Sequence, residues 1–305
     1  MLTFLAIENL AEKESTKLSA LVVRTTASYG SNGKPFATLS LARGKDIIEA
    51  RMWDIGRTDE LPQPDGVYLF EIQYSPSCDV SYEILSLEHQ PEADPADYAP
   101  VSTPIGEMEE WIDRRISKMR VPLSSIATAM LERYGYGYRR SAAGRSMHHA
   151  YPGGLIEHSF NMARSAQMLS AIYPFDADLA VCGCLFHDIG KVIELDTRWS
   201  GQCRYTERGQ LEGHPLIGCT MIRQVASDIG VATDDSDLLA LVHILASHHG
   251  TKEHGAICEP MTAEALLVAK LDALDMEQGI FQELPDGFTG TSDEIPALGH
   301  RIAVI

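Results

Sequence analysis

The first part of the chain alternates apolar and polar positions with a period of two. Leu18 to Thr25 does so, and Phe36 to Leu41 follows after the turn signal Ser31–Asn32–Gly33–Lys34. After a second turn at Arg43–Gly44–Lys45 the alternation resumes from Ile47 to Trp53. There Ile47, Glu49 and Arg51 take one face, and Ile48, Ala50 and Met52 the other. Val67 to Tyr74 and Val80 to Leu87 complete five predicted strands. Short strands with turns at this spacing predict a small five-stranded barrel of the OB type over residues 1–90.

Residues 91–104, PEADPADYAPVSTP, are poor in apolar side chains and read as a linker. Beyond Pro104 the hydrophobic period becomes helical. Helices are predicted over Glu107–Met119, Ser124–Tyr134, Gly154–Tyr173, Asp178–His187, Leu211–Ile229, Ser236–Ser247 and Thr262–Met276. In the third, Leu155, Met162, Ala166, Leu169 and Tyr173 share one stripe, and Gly190 and Gly250 close the fourth and sixth. The fold class is therefore multidomain β + α. An OB-type barrel precedes an all-α bundle over 105–280, and a tail over 281–305 is broken by Pro285, Gly287, Gly290 and Pro296.

Composition changes this picture little. A chain of 305 residues, 45% hydrophobic and 22% charged, has room for two ordinary domains. No apolar run reaches the length of a membrane span, and MLTFLAIENLAEKES is too short and acidic for a signal peptide, so a cytoplasmic protein is expected. None of the six cysteines forms a C-x-x-C pair, which argues for reduced thiols over a zinc site or a disulfide framework.

Charge matters more. A net charge of −18 argues against a general nucleic-acid binder. The cations are unevenly spread, however. Arg114, Arg115, Lys118, Arg120, Arg133, Arg139, Arg140 and Arg145 face only Glu132 in their stretch, with Tyr134, Tyr136 and Tyr138 between them. Cations for phosphates and flat rings for bases are what single-stranded nucleic acid requires. The plainer account, and the one the stretch by itself favours, is a solvated helix followed by a Gly/Tyr loop.

The candidate chemistry lies in His158, His187–Asp188, His214, His248–His249 and Asp272. His158 falls on the apolar stripe of its helix. Asp188 ends a nearly all-apolar helix, and Asp272 sits mid-helix among apolar neighbours. A carboxylate in such a setting is costly unless paired or bound to a metal. Each residue has a bland alternative, such as a satisfied core histidine or an exposed loop histidine. All of them being incidental together is much harder to sustain. Imidazole and carboxylate donors suit one or two hard or borderline divalent ions, which activate water and offset phosphoryl charge. A metal-dependent phosphohydrolase is the first reading.

The order His158…His187–Asp188…Asp272 resembles the HD-domain phosphohydrolase superfamily. A longer string is more specific. Residues 147–158, MHHAYPGGLIEH, with Leu185–Phe186–His187–Asp188–Ile189–Gly190–Lys191, Gly213–His214, Leu245–Ala246–Ser247–His248–His249–Gly250 and Lys270–Leu271–Asp272–Ala273–Leu274–Asp275, look like the YhaM-type 3′→5′ exoribonucleases. Gly33–Lys34–Pro35–Phe36 and residues 48–54, IEARMWD, look like the OB-fold of that family, and the likeness spans about residues 15–280. The resemblance implies one ion on His158, His187, Asp188 and Asp272. A second would lie on His214, His248 and the shared Asp188, with His249 beside it. Mn²⁺ is the favoured ion, with Fe²⁺, Mg²⁺, Ni²⁺ and Zn²⁺ as alternatives.

The expected reaction removes nucleotides from the 3′ end of single-stranded RNA, with single-stranded DNA a further substrate. Asp188, Lys191 and His249 are the expected catalytic residues. Lys191, Arg145, Arg139, Arg140 and Tyr151 are expected to contact substrate, and Phe36, Trp53 and Tyr74 to stack on upstream bases. No membrane partner is expected, and a homo-oligomer is left open. Two other readings stand beside this one. The first keeps the metal site for a small nucleotide or cyclic dinucleotide, although the Gly-Tyr-Pro signature of cyclic-di-GMP phosphodiesterases is missing after His249. The second is a nucleic-acid-binding regulatory protein with an idle bundle.

Overall fold

The computed structural model describes residues 10–44, 46–56, 61–76, 80–145, 149–282, 284, 288–295 and 298–305. Lys45 of the second turn, Cys78, Met147–His148 of the motif, and Pro285, Gly287 and Pro296 of the tail lie outside them.

Five strands close into a barrel. They are β1 (Ser15–Tyr29), β2 (Pro35–Arg43), β3 (Asp46–Trp53), β4 (Val67–Tyr74) and β5 (Tyr82–His89). The order around the barrel is β1-β2-β3-β5-β4, antiparallel except for the β3–β5 pair. This is the expected OB-type arrangement. The β1 strand is much longer than its alternation from Leu18 to Thr25 suggested, because it serves two neighbours. Ser15–Leu21 pairs with β4, and Leu21–Tyr29 with β2, with an irregularity between Val22 and Arg24 where the strand turns the corner.

Alternate residues fill the barrel, including Leu18, Ala20, Val22, Leu39, Leu41, Phe70 and Ile72. Leu21, Ala42 and Val67 point the other way and are buried as well, in a core shared with the helices. That second burial explains why Ala20–Leu21–Val22 is continuously apolar.

The 91–104 segment is not a free tether. It forms a 3-10 helix, Pro95–Tyr98, whose Asp94 accepts the Ala96 N–H. Ala96 and Ala99 are buried between barrel and bundle. The Gly44 N–H donates to Tyr98 O at 3.2 Å, and the Arg43 guanidinium lies over the Tyr98 ring. A few small and aromatic side chains among the acids suffice to pack it.

The bundle comprises α1 (Ile105–Ile116), α2 (Leu123–Arg140), α3 (Gly154–Leu169), α4 (Ala177–Phe186), α5 (Lys191–Glu194), α6 (Glu207–Glu212), α7 (His214–Asp228), α8 (Ser236–Ser247) and α9 (Ala263–Gln282). Two expectations need correction. The expected Gly/Tyr loop after Tyr134 is the continuation of α2. There Gly137 allows close packing, since a Cβ would sit 2.3 Å from Val192 Cγ1, and buried Tyr138 donates its hydroxyl to Leu185 O at 2.8 Å. Tertiary contact thus overrides the poor helix propensity of glycine. The single helix expected over Leu211–Ile229 is broken at Gly213, whose φ of 72° only glycine adopts without strain. The break places His214 at the start of α7. Between α5 and α6 lies an unanticipated hairpin of β6 (Leu195–Thr197) and β7 (Cys203–Tyr205). At its tip the Ser200 N–H donates to Asp65 Oδ1, tying bundle to barrel. The tail contributes a small pair, β8 (Gly290–Thr291) and β9 (Ala303–Val304).

Candidate metal centre

Five helices bring the motif residues to one place. His158 comes from α3, His187 and Asp188 from the end of α4, His214 from the start of α7, His248 and His249 from the end of α8, and Asp272 from α9. His158, His187, Asp188 and His248 are buried. Two groups of donors result. His158 Nε2 lies 3.1 Å from His187 Nε2 and 3.3 Å from Asp272 Oδ1. On the other side His214 Nε2 lies 3.1 Å from His249 Nε2. Asp188 faces both groups: its Oδ2 is 3.3 Å from His187 Nε2, and its Oδ1 is 3.2 Å from His214 Nε2 and 3.5 Å from His248 Nε2.

Backbone and carboxylate partners fix the tautomers. His187 Nδ1 donates to Cys184 O at 2.9 Å, and His248 Nδ1 to Leu245 O at 2.7 Å. His158 Nδ1 sits 2.7 Å from Asp275 Oδ2, and His214 Nδ1 sits 3.0 Å from Glu194 Oε2. All four rings therefore turn Nε2 inward, as metal-ligating histidines do when the other nitrogen is held. Two lone pairs 3.1 Å apart, as on His158 and His187, repel unless a positive charge lies between them. Asp188 Oδ1 and His248 Nε2 are buried with no hydrogen-bond partner, an arrangement that is expensive without a cation. The donor set thus fits divalent metal, with imidazole nitrogen and carboxylate oxygen suiting borderline first-row ions.

The electrostatics agree. Burial pushes the Asp188 carboxyl up, but Lys191, His187 and His214 hold it well below the ordinary carboxylate range. Asp272 is likewise pushed up by burial and brought down by its contact with His158. Burial works against a proton on His158, yet Asp272 and Asp275 push its pKa up to about 10, so this position demands positive charge. His249 goes the other way: burial, with His248 and His214 nearby, lowers it to about 4 and keeps its ring neutral.

Lys191 was expected to reach a phosphate. Its Nζ lies 2.6 Å from Asp188 Oδ2 and donates also to Ala143 O, so its first duty is to hold Asp188. Tyr151 supports the centre from behind: its hydroxyl donates to Glu157 Oε2 at 2.7 Å and meets His149 Nδ1 at 2.8 Å. His149 Nε2 in turn lies 2.9 Å from Asp275 Oδ2. Asp275, Glu194 and His149 are the residues that sequence reasoning missed as site members. Their only local signal was position, since Asp275 lies one helical turn from Asp272 and His149 falls inside the quoted motif.

The other expected substrate contacts have partners of their own. Arg139 is engaged by Asp94 at 3.0 Å and Glu109 at 3.7 Å. Arg140 stacks on Tyr136, and Arg145 on Tyr205. Elsewhere in the basic stretch Arg114 pairs with Glu110, Arg115 with Asp178, Arg120 with Asp176 and Asp237, and Arg133 with Asp228. Acids distant in sequence neutralise half of these cations, which favours the plainer account of the charge. On the barrel, Phe36 and Trp53 rings lie 5.4 Å apart with the Arg51 guanidinium over both, and Tyr74 packs on Tyr82.

Comparison with known proteins agrees with this geometry. Residues 155–277 match the HD domain family. The chain is 32% identical over 303 residues to a 3′-5′ exoribonuclease YhaM of Bacillus licheniformis, covering 94% of each. It is 31% identical to that of Listeria welshimeri over 86% of this chain and 85% of the other, and 30% identical to that of Bacillus subtilis over 85% and 84%. This chain belongs to the YhaM family. The HD match contains every residue from His158 to Asp275 described above, while the barrel and His149 precede it. Among the described residues no helix is long and apolar enough to cross a membrane.

Proposed function

We propose that this protein is a metal-dependent 3′→5′ exoribonuclease acting on single-stranded RNA in the cytoplasm. The observation that carries the reading is Asp188, one buried carboxylate shared by two groups of inward-turned histidines. The relatives that share nearly the whole chain carry the name of that activity.

Divalent ions, Mn²⁺ for preference, held by His158, His187, Asp188 and Asp272 and by His214, His248 and Asp188, would supply activated water and offset phosphoryl charge. The chain's own residues do the rest. Asp188 is kept ionised and oriented by Lys191. Asp275 and Glu194 hold the rings of His158 and His214. Neutral His249 lies beside His214 and lines the pocket over the centre, where its ring faces the substrate. Water attacks the terminal phosphodiester, the P–O3′ bond breaks, and a nucleoside 5′-monophosphate and a new 3′-hydroxyl result. On the barrel, Phe36, Arg51 and Trp53 form a platform on which an upstream base would stack.

The test is cleavage of a 5′-labelled single-stranded RNA with Mn²⁺, with Asp188→Asn as control. A descending ladder absent from the control is the expected result, and an intact RNA would sink the proposal. The small-nucleotide reading draws on a pocket of about 390 Å³ over the centre, enough for one nucleotide. Hydrolysis of free nucleotides at rates above those on RNA would favour it.

A further inference from the structure

The hairpin β6–β7 joins the metal centre to the barrel. At its base the backbone oxygen of Glu194, whose carboxylate holds the His214 ring, accepts the Thr206 N–H, and the Thr206 hydroxyl donates to Ile193 O. At its tip the Ser200 N–H donates to Asp65 Oδ1 of the barrel. Leu195 pairs with Tyr205 and Thr197 with Cys203, so these four side chains share one face. Residues 141–145 cross that face. The Ala142 N–H donates to Thr197 Oγ1, Ala143 O accepts from Lys191 Nζ, and the Arg145 guanidinium lies 5.4 Å from the centre of the Tyr205 ring. Arg145 is two residues past Ala143, within about 7 Å of it along the chain. The pair is thereby tied to both supports of the centre: Lys191, which grips Asp188, and Glu194, which grips His214.

Arg145 is exposed, and among the described residues no acid pairs with it. This sets it apart from Arg115, Arg120, Arg133 and Arg139, whose charges acids already meet. Tyr205 is 41% exposed, so part of its ring stays open beside the guanidinium. A guanidinium stacked on a ring keeps the N–H donors of its edge, and these suit a phosphate. An open ring suits any base, because every base has a flat face. The barrel platform has the same composition, with Arg51 over Phe36 and Trp53. We propose that Tyr205 and Arg145 hold the nucleotide immediately 5′ to the scissile bond, the ring against its base and the guanidinium on its 5′-phosphate. This rests on the exoribonuclease reading. It adds to it the residues that seat the strand between barrel and centre, and stacking of this kind reads the face of a base and not the sugar.

Two 5′-labelled RNAs test it, identical except that one is abasic at the penultimate nucleotide. The wild type should remove the terminal nucleotide from the intact strand with a kcat/KM about 5- to 150-fold higher, the range of base–aromatic stacking. Tyr205→Ala should lose that factor on the intact strand and cleave the two strands alike, while Tyr205→Phe should behave as the wild type. General damage to the centre would slow both strands equally and leave their ratio unchanged. Arg145→Gln should keep most of the ratio and lower the salt dependence instead. The slope of log kcat/KM against log salt should flatten by about 0.7, the share of one phosphate contact on a single strand. A wild type indifferent to the missing base, a ratio in Tyr205→Ala equal to that of the wild type, or a salt slope unchanged in Arg145→Gln would overturn the inference alone. Failure of the wild type to shorten either strand would overturn the exoribonuclease reading with it.

Discussion

The barrel and the bundle both have apolar cores but differ in the polar groups they bury. The barrel interior is apolar throughout, with Leu39, Leu41, Phe70 and Ile72 fully buried and no ionisable side chain among its core residues. The bundle encloses His158, His187, Asp188 and His248 at the meeting point of its helices, and two of their polar atoms lack partners. Burying Phe70 contributes roughly 1.5–3 kcal/mol from area alone. Burying Asp188 by itself would cost free energy, and it is Lys191 and the histidines that keep the carboxylate ionised there. One region is built to fold, and the other accepts instability to hold a cation. Metal should therefore add more to the stability of the bundle than to that of the barrel, which shares only part of its core with the bundle.

Asp188→Asn breaks this contrast most directly. It removes the charge shared by both donor groups, and turnover on RNA should fall at least about 10³-fold. Metal content per chain, read by elemental analysis, should fall with it, and normal content with full activity would refute the assignment. Phe70→Ala attacks the other side. It should cost about 3–5 kcal/mol in denaturant unfolding of the barrel, with metal content per folded chain unchanged. A metal loss as large as that in Asp188→Asn would show that the two regions are not separate in this sense. Asp275→Asn sharpens the picture within the bundle, because it leaves every proposed ligand in place and weakens the hold on His158 Nδ1. Metal affinity should drop about 10- to 100-fold, measured by competition with a chelating dye. Trp53→Ala should have the smallest effect. It should weaken RNA binding by about 1–3 kcal/mol while leaving hydrolysis of a small phosphodiester intact. Equal losses on both substrates would place the barrel's role elsewhere.

Point variants are the right tools here, and removal of residues 1–100 is not. Leu21, Ala42 and Val67 of the barrel share a core with Ile105 and Met108 of α1, so truncation would strip the bundle of part of its own interior. The segment between them looked like a linker because its acids and prolines outnumber its apolar side chains. Ala96 and Ala99 are too small to register in a hydrophobic pattern, yet they are what packs.

Sequence alone determined a good deal. Period-two alternation set the strands, since successive side chains point into and out of the barrel, and β4 falls where its pattern placed it. Apolar periodicity and Asp or Gly boundaries set α8, whose Asp235 cap accepts from Asp237 and Leu238. Residue type and order pointed to the side chains that the fold brings together, because few side chains ligate a divalent ion and a buried carboxylate needs a reason. Three things were decided only by the tertiary structure. The extent of α2 depended on Val192 packing against Gly137. The charge of the basic stretch depended on acids such as Asp178, Asp228 and Asp237, some 60 to 120 residues distant. The orienting partners Asp275, Glu194 and His149 depended on where helices cross. Each is a contact between residues far apart in the chain, and local pattern carries no record of such contacts.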